Sequence, residues 1–457
     1  MFINGDLIGQ EEDIELFNNI GCLDDLEGRL TAWLTLQRTP RLTWEFETAR
    51  GNYTEYLKSI NNRPQKLSSW EGSDPCLLVE NPTLKSWGGH RRQFSGYAEQ
   101  VLWGNIDADA HYFDFYIPNT DFIRAATGGS LEDTTRALNN EPFKVDIGTD
   151  WSIEIFTNQK SLNWLDPKTQ NRGSMITLKI RLNQTQQVFT NINNLAVKSL
   201  NDAKKIISDL CLMLSFANGG YTKPIYGLAK KIANVSTNQI INVASFAQAP
   251  LISPQEEIGI GFIRDWGIKD LLEFIKCFPN FQKMLKTNHW HEKWIIVLEW
   301  YFQAIPRLSG RRQNALLPVV ANALGALLEN FAFLILVEDE PDLIKKEEFN
   351  KTKGLRDQGF SGVAHYHIDT VLKRIGISTE KDIAKNFVEI RNNSTHPKKR
   401  PTPLNEMEQW EVIYKALQWV DEIILWRLGY TGQYRERRLK GGLIQPRYDL
   451  SLRDPNW

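Results

Sequence analysis

Apolar and polar residues alternate in short runs over the first 190 or so residues of the chain. In the run 28–37, Leu30, Ala32 and Leu34 alternate with threonine and tryptophan, and the run 42–47 alternates again. Two alternating runs joined by a short turn predict a β-hairpin. Further alternating runs lie at 111–117, 151–156 and 176–182. Strands without intervening helices predict an antiparallel sandwich or barrel, which we assign to residues 1–194.

The spacing of apolar residues changes to three and four after residue 194. Leu200, Ala203, Ile207 and Leu214 lie on one helical stripe, which a pair of glycines ends at 219–220. The following residues show no clear period. We therefore interpret 195–264 as one helix followed by a mixed connector that contains strands.

Long apolar stripes then dominate the chain from 265 to 430. They predict helices over 269–278, 293–305, 314–337, 368–375, 380–392 and 405–428. Short loops between such helices favour a helical bundle. The last segment, 431–457, is a polar, basic tail. The predicted fold class is α+β and multidomain: a β-rich N-terminal domain followed by an all-α C-terminal domain.

Composition and charge exclude only a few classes of function. The 457 residues carry 54 Lys and Arg against 55 Asp and Glu, a formal net charge of −1, so a nucleic-acid site has to be a local patch. The four cysteines show no zinc-site spacing, and the first residues lack a secretory pattern, so we expect a cytoplasmic protein. The apolar stretch 315–337 is long enough to span a membrane, but its central Glu329 and Asn330 favour a buried core helix. Nucleotide-loop, zinc-protease and serine-hydrolase motifs are absent from the sequence.

One segment, residues 388–397, carries the residue types of a phosphoryl-transfer site. Arg391 is followed by Asn392 and, five positions on, by His396 and Pro397. Pro397 disfavours helical geometry at His396, and the Asn-Asn-Ser-Thr run favours a cap or turn, so Arg391 and His396 are expected to turn toward one site. An arginine that binds phosphate with two donors, beside a histidine that exchanges protons near neutral pH, is suited to metal-free RNA cleavage.

The Arg-Asn-x-x-x-His-Pro segment resembles the Arg-x4-6-His signature of HEPN ribonucleases. It lies between one helix and a long final helix, as in that family. The wider layout is similar to ApeA-like antiphage proteins: an aromatic strand running into Pro118-Asn119, a Leu-Ser-Phe-Ala helix end at 214–217, and then the HEPN domain. The resemblance implies that the predicted C-terminal bundle is a HEPN domain.

The same resemblance implies a metal-independent, cofactor-free endoribonuclease that works as a homodimer in antiphage defence. The RNA 2′-hydroxyl would attack the adjacent phosphate and leave a 2′,3′-cyclic phosphate and a 5′-hydroxyl. His396 would transfer the proton, Arg391 would neutralise charge on the phosphoryl oxygens, and Asn392 would orient Arg391 or contact the RNA backbone.

Local charge agrees with an RNA substrate. Residues 371–440 hold 14 Lys and Arg against 9 Asp and Glu, a balance of +5. Lys398, Lys399 and Arg400 follow the motif directly and are candidate substrate-binding residues, although a solvated loop explains them equally well. The basic residues of the tail, Arg437 among them, are expected to face solvent or a partner.

Other interpretations stay open. Arg391 and His396 at a helix end also fit cations that interact with the last carbonyls. His365 and His367 are expected to be ordinary surface histidines, and Glu329 is either a capped core carboxylate or a residue that reaches the dimer site. The HEPN domain could also be a non-catalytic module for dimerisation or partner binding, or a subunit of a larger RNA-guided defence complex with a phage-derived trigger.

Overall fold

A computed structural model of the chain describes residues 13–23, 26–35, 41–48, 67–69, 77–80, 83–88, 93–117, 143–147, 151–157, 162–165, 172–175, 178–184, 198–234, 237, 239–249, 273–305, 317–351, 355, 357–377, 381–395, 403–435, 437, 439–440, 447–448, 452–453 and 455. The chain divides into two compact units. The first combines Met1–Leu214 with Tyr221–Glu257, and the second combines Ser215–Gly220 with Ile258–Trp457. The first unit is built mainly of antiparallel strands and the second mainly of helices, so the predicted α+β class is confirmed.

Within the described residues, fourteen strands of the first unit form one antiparallel sheet. The strands are β1 (Asp13–Leu23), β2 (Leu26–Thr35), β3 (Arg41–Glu47), β4 (Leu67–Ser69), β5 (Leu77–Glu80), β6 (Thr83–Gly88), β7 (Gln93–Ala98), β8 (Gln100–Gly104), β9 (Tyr112–Ile117), β10 (Phe143–Ile147), β11 (Trp151–Thr157), β14 (Leu178–Gln184), β15 (Tyr226–Asn234) and β16 (Gln239–Gln248). Their order in the sheet is β10-β11-β14-β9-β15-β16-β8-β5-β4-β1-β2-β3-β7-β6. A separate hairpin pairs β12 (Leu162–Leu165) with β13 (Arg172–Met175).

The hairpin predicted from the first alternating runs is confirmed. Strands β2 and β3 pair antiparallel, with Leu34 opposite Leu42 and Leu30 opposite Phe46. Each of these four side chains is buried, while the intervening residues face the other side of the sheet. The alternation of the sequence therefore sets which face of the hairpin enters the core.

The sheet does not end at residue 194. Strands β15 and β16 come from the segment interpreted as a connector, yet β15 pairs with β9 and β16 pairs with β8. They lie in the middle of the strand order. The sequence did not reveal this because one half of each strand is buried on both faces of the sheet, which removes the alternation expected of a half-exposed strand.

The core of the β-rich unit joins residues from distant strands. Trp44, Phe46 and Leu34 belong to one buried cluster with Tyr116 and Tyr226. Large aromatic side chains dominate the burial, and the Trp44 indole also donates a hydrogen bond to the Tyr97 carbonyl at 3.0 Å. This bond ties β3 to β7 from inside the core.

The predicted helix after residue 194 is α1, Leu200–Asn218. Ser199 and Asp202 cap its start reciprocally: the Asp202 amide donates to the Ser199 hydroxyl, and the Ser199 amide donates to the Asp202 carboxylate. The bond from the Ser199 backbone lowers the pKa of Asp202. Gly219, with φ of 72°, ends the helix in the left-handed region.

The second unit contains five of the predicted helices with shifted ends. Its longer helices are α2 (Phe278–Leu285), α3 (Asn288–Ala304), α4 (Leu317–Phe333), α5 (Val363–Arg374), α6 (Lys381–Thr395) and α7 (Glu406–Leu428). The predicted helix 269–278 is helical over 273–276 within the described residues, and α2, which follows it, was not predicted. Helix α7 starts with a capping box between Asn405 and Glu408, and Gly429 ends it with φ of 67°. These are the start and stop signals that a helix of this length needs.

Helix α4 is the central helix of this unit, and it contacts α3, α5, α6 and α7. A π-helical segment, Leu334–Asp339, continues it directly. Together they form the single helix, within the described part of the chain, that is long and apolar enough to cross a membrane. Two thirds of its most apolar window (67%) is buried inside the protein, the pattern of a core helix.

The described part of the C-terminal tail contains pairs of short strands: Tyr434–Arg435 with Leu452–Arg453, and Leu439–Lys440 with Arg447–Tyr448. The expectation that Arg437 faces solvent or a partner is wrong. Its side chain is 2% exposed and forms an ion pair with Asp421 of α7, which is fully buried. An arginine leaves water for such a position because the paired carboxylate compensates its charge.

Candidate functional site

The candidate site lies at the C-terminal end of helix α6. The helix runs through Asn392 to Thr395, so the predicted turn over this polar run is wrong. The Ser394 hydroxyl donates to the Ile390 carbonyl at 2.9 Å, and the Thr395 hydroxyl lies 3.3 Å from the Arg391 carbonyl. These hydroxyls bond back to the preceding turn and are compatible with helix, and this explains why the run did not break it.

Arg391 faces the central helix α4. Its Nη2 lies 3.0 Å from Oε1 of Glu329, and the two side chains are 28% and 39% exposed, respectively. A Cβ atom on Gly325 would lie 3.0 Å from both Cγ and Nε of Arg391, so the arginine stem lies directly against this glycine. Gly325 and Glu329 are one helical turn apart and thus share a face of α4. Gly325 makes room for the arginine stem, and Glu329 holds its guanidinium.

Solvent reaches this ion pair, which matters for its chemistry. A half-exposed guanidinium can exchange a carboxylate for a phosphate, since both anions accept two parallel hydrogen bonds from it. The sequence contained Glu329 as an unexplained acid in an apolar helix, and its partner was not predictable from spacing because Arg391 lies 62 positions away.

The other predicted site residues are only partly described. Asn392 is half-buried, and its backbone carbonyl accepts a bond from Thr395. Within the described contacts, its side chain makes no bond to Arg391, so the predicted orienting role has no support. His396, Lys398, Lys399 and Arg400 lie outside the described residues.

The paired histidines of the 365–367 segment are not at the surface. His365 is 1% exposed and His367 is 3% exposed, and both lie inside α5 rather than before a helix. His367 stacks on Phe349, with ring centroids 3.8 Å apart. Burial lowers its pKa to about 4, so this imidazole is neutral at physiological pH. The prediction of ordinary surface histidines is wrong because α5 starts five residues earlier than its apolar stripe indicated.

A second polar cluster surrounds Asp339, at the end of the π-helical segment. His289 Nε2 lies 3.0 Å from Oδ1 of Asp339, and Arg427 Nε lies 3.0 Å from Oδ2. The Trp290 indole donates to the same carboxylate at 3.0 Å, and the Arg427 guanidinium lies 5.4 Å from the Trp290 ring centroid. One carboxylate thus joins α3, the π-helical segment and α7, which is an arrangement that stabilises helix packing.

The β-rich unit has its own charged centre, which the sequence analysis missed. Asp114 of β9 is 1% exposed and contacts Arg181 at 2.8 Å, Lys230 at 2.7 Å and Lys179 at 3.9 Å. Burial acts to raise its pKa, but the bond from Arg181 and the lysine charges outweigh burial and lower it. The sequence signal for this centre was one acidic residue, Asp114, inside the otherwise apolar strand 112–117.

Metal ligands are not assembled in the part of the chain that the structure describes: no group of three or more His, Cys, Asp or Glu there could hold an ion.

Comparison with known proteins places one family on this region. Residues 287–445, about a third of the chain, match the family described as the YopA C-terminal domain. The matched segment contains Glu329, Arg391 and His396. No curated protein and no solved structure matches the chain.

Proposed function

We propose that the helical unit is a HEPN domain and that the protein is a metal-independent endoribonuclease acting as a homodimer. The observation that carries the proposal is the placement of Arg391, which is half-exposed, held by Glu329 and followed five residues later by His396. The basic residues 398–400 would contact the RNA backbone. The resemblance to ApeA-like proteins extends the proposal to antiphage defence by growth arrest, in the cytoplasm.

In the proposed reaction, His396 takes the proton of the RNA 2′-hydroxyl, whose oxygen attacks the adjacent phosphorus. The bond from phosphorus to the 5′-oxygen breaks, and that oxygen leaves as a 5′-hydroxyl after protonation by the second histidine of the dimer. Arg391 would exchange Glu329 for the phosphate and neutralise charge that builds on its oxygens. Glu329 would hold the guanidinium in position between substrates.

The Arg391–Glu329 pair also supports the alternative, a HEPN domain kept as a dimerisation or partner-binding module. The Arg391 guanidinium is already paired with a carboxylate, as it would be in a purely structural ion pair. The two functions differ in one testable respect: an ion pair that only supports packing takes no part in RNA cleavage.

The deciding experiment compares the wild-type protein with Arg391→Ala and His396→Ala on end-labelled RNA in excess EDTA, with the product ends mapped. The matched control is Arg374→Ala, which removes another half-exposed arginine, paired with Glu340 at 2.7 Å on the same unit. We expect wild type and control to leave cyclic phosphate ends. Loss of the histidine should cost about 10²–10⁴-fold in rate.

RNA cleavage that persists unchanged in both site variants would contradict the proposal. If the wild type leaves RNA intact, overexpression separates an enzyme that awaits a trigger from a non-catalytic module. Growth arrest that His396→Ala relieves and Arg374→Ala retains supports the enzyme. Arrest by all forms alike, or by none, supports the module.

A further inference from the structure

The outer face of the β-rich sheet carries a groove that the proposed ribonuclease does not use. It has a volume of about 400 Å³, and its lining comes from β2, β3 and β7: Trp33, Thr35, Arg41, Thr43, Trp44, Glu45, Ser95, Gly96 and Tyr97. Trp44 and Gly96 are buried residues at the floor of the groove, and the other lining residues of β3 and β7 alternate with the buried residues of these strands.

Two aromatic side chains stand on either side of a small residue. The register places Trp33 opposite Thr43, and Thr43 opposite Tyr97, in one row across three strands. Neighbouring strands are about 4.8 Å apart, so the two aromatic residues start about 9.6 Å from each other. A flat ring in contact with an aromatic surface on both sides needs about 7–8 Å. Two aromatic side chains that stand upright at this spacing leave room for one planar ring above Thr43.

Polar groups of opposite charge lie along the same groove. The Arg41 Nη1 donates to the Tyr97 hydroxyl at 2.8 Å, and its guanidinium lies 5.0 Å from the Tyr97 ring centroid. Glu45 accepts a hydrogen bond from Gln93 at 3.2 Å. The groove thus combines a fixed cationic donor with a fixed anionic acceptor, and these two charges cancel.

We propose that this groove binds a single nucleobase, stacked between Trp33 and Tyr97. Base–aromatic stacking accepts any base, while a carboxylate such as Glu45 accepts hydrogen bonds from an exocyclic amine and Arg41 donates to ring or carbonyl acceptors. The balanced charge favours recognition of the base over the phosphate backbone. The base has two possible sources, a free nucleotide or a single-stranded RNA, and the proposal does not depend on Arg391 or His396.

The test is calorimetric titration of the full-length His396→Ala protein, which keeps RNA intact, with AMP, CMP, UMP and a single-stranded RNA pentamer. We expect binding, with Trp33→Ala and Tyr97→Ala each weakening it by roughly 5- to 150-fold. Tighter binding of the pentamer than of every mononucleotide identifies RNA as the source, and equal or weaker binding identifies the free nucleotide. The matched control is Trp300→Ala, which removes a tryptophan that is 39% exposed on the helical unit.

A second variant tests the polar contact. Glu45→Gln should reduce the preference for AMP and CMP, which carry an exocyclic amine, over UMP, which has none. Absence of nucleotide and RNA binding by a protein with a wild-type circular dichroism spectrum would overturn the inference. Binding that both aromatic variants retain, or binding of cellobiose in place of nucleotides, would overturn it as well. Failure of the ribonuclease proposal is measured separately, by RNA cleavage in the Arg391 variant.

Discussion

Two arginine–carboxylate pairs in the helical unit differ in how much water reaches them. Arg437 and Asp421 are 2% and 0% exposed, whereas Arg391 and Glu329 are 28% and 39% exposed. The buried pair is surrounded by further bonds: the Tyr301 hydroxyl donates to Asp421 at 2.9 Å. The exposed pair is supported by the contact of the Arg391 stem with Gly325.

The difference in burial gives the two arginine–carboxylate pairs different roles. A buried charge pair is expensive to assemble and very costly to break, since its members cannot return to water singly. An exposed pair contributes little to stability, and its guanidinium is free to change anions. Burial therefore assigns Arg437 to the architecture of the unit and leaves Arg391 available for a substrate.

The largest expected effect comes from breaking the buried pair. Arg437→Ala leaves the Asp421 carboxylate without its cation in the core of the helical unit. We expect the free energy of unfolding to fall by about 3–5 kcal/mol. Urea denaturation followed by circular dichroism measures this loss. A change below about 1 kcal/mol would show that the pair is not buried in solution.

The next effect is on pH dependence. The pKa of His367 is about 4 in the folded protein and 6.5 as its ordinary value, so the unfolded chain binds the extra proton more readily. This group stabilises the folded state above pH 6.5. The contribution, in total about 3 kcal/mol, is lost as pH falls from 6.5 toward 4. Denaturation at pH 7.5, 6 and 5 measures the slope.

The control for this slope is His367→Phe, which keeps a ring against Phe349 and cannot titrate. The free energy of unfolding of this variant should fall less than that of the wild type over the same pH interval. Equal slopes for the two proteins would assign the pH dependence to other groups.

A smaller change tests the close approach of Arg391 to α4. Gly325→Ala adds a methyl group 3.0 Å from the Arg391 stem, which has to shift by a few tenths of an ångström. Alanine favours the helix by about 1 kcal/mol over glycine, which offsets the strain. We expect stability to be nearly unchanged and RNA cleavage to fall by about tenfold. Unchanged cleavage would mean that the position of Arg391 against α4 does not matter for the reaction.

The smallest effect is the coupling within the exposed pair itself. A double-mutant cycle of Arg391→Ala and Glu329→Ala should give an interaction free energy below about 1 kcal/mol, in contrast to the buried pair. Chemical denaturation of the four proteins gives this value. A coupling of 3 kcal/mol or more would make Arg391 a structural residue and remove the basis for its proposed role.

Local patterns were sufficient for much of the fold. The alternation in β2 and β3 predicted a hairpin and its buried face, and the stripe in α7 predicted its length within one residue. Strands β15 and β16 were missed as members of the sheet because strands buried on both faces lose the alternation that marks them. The end of α6 was missed because Ser394 and Thr395 bond back into the helix.

The sequence by itself determined the α+β class, the order of a β-rich region before a helical one, and the presence of an arginine and a histidine at the end of one helix. These properties depend on near neighbours along the chain, through side-chain period and capping. Only the tertiary structure decided that Arg391 meets Glu329, that Arg437 is buried against Asp421, and that Trp33 and Tyr97 lie on either side of Thr43. Those contacts join residues far apart in sequence, and their burial follows from packing rather than from residue type.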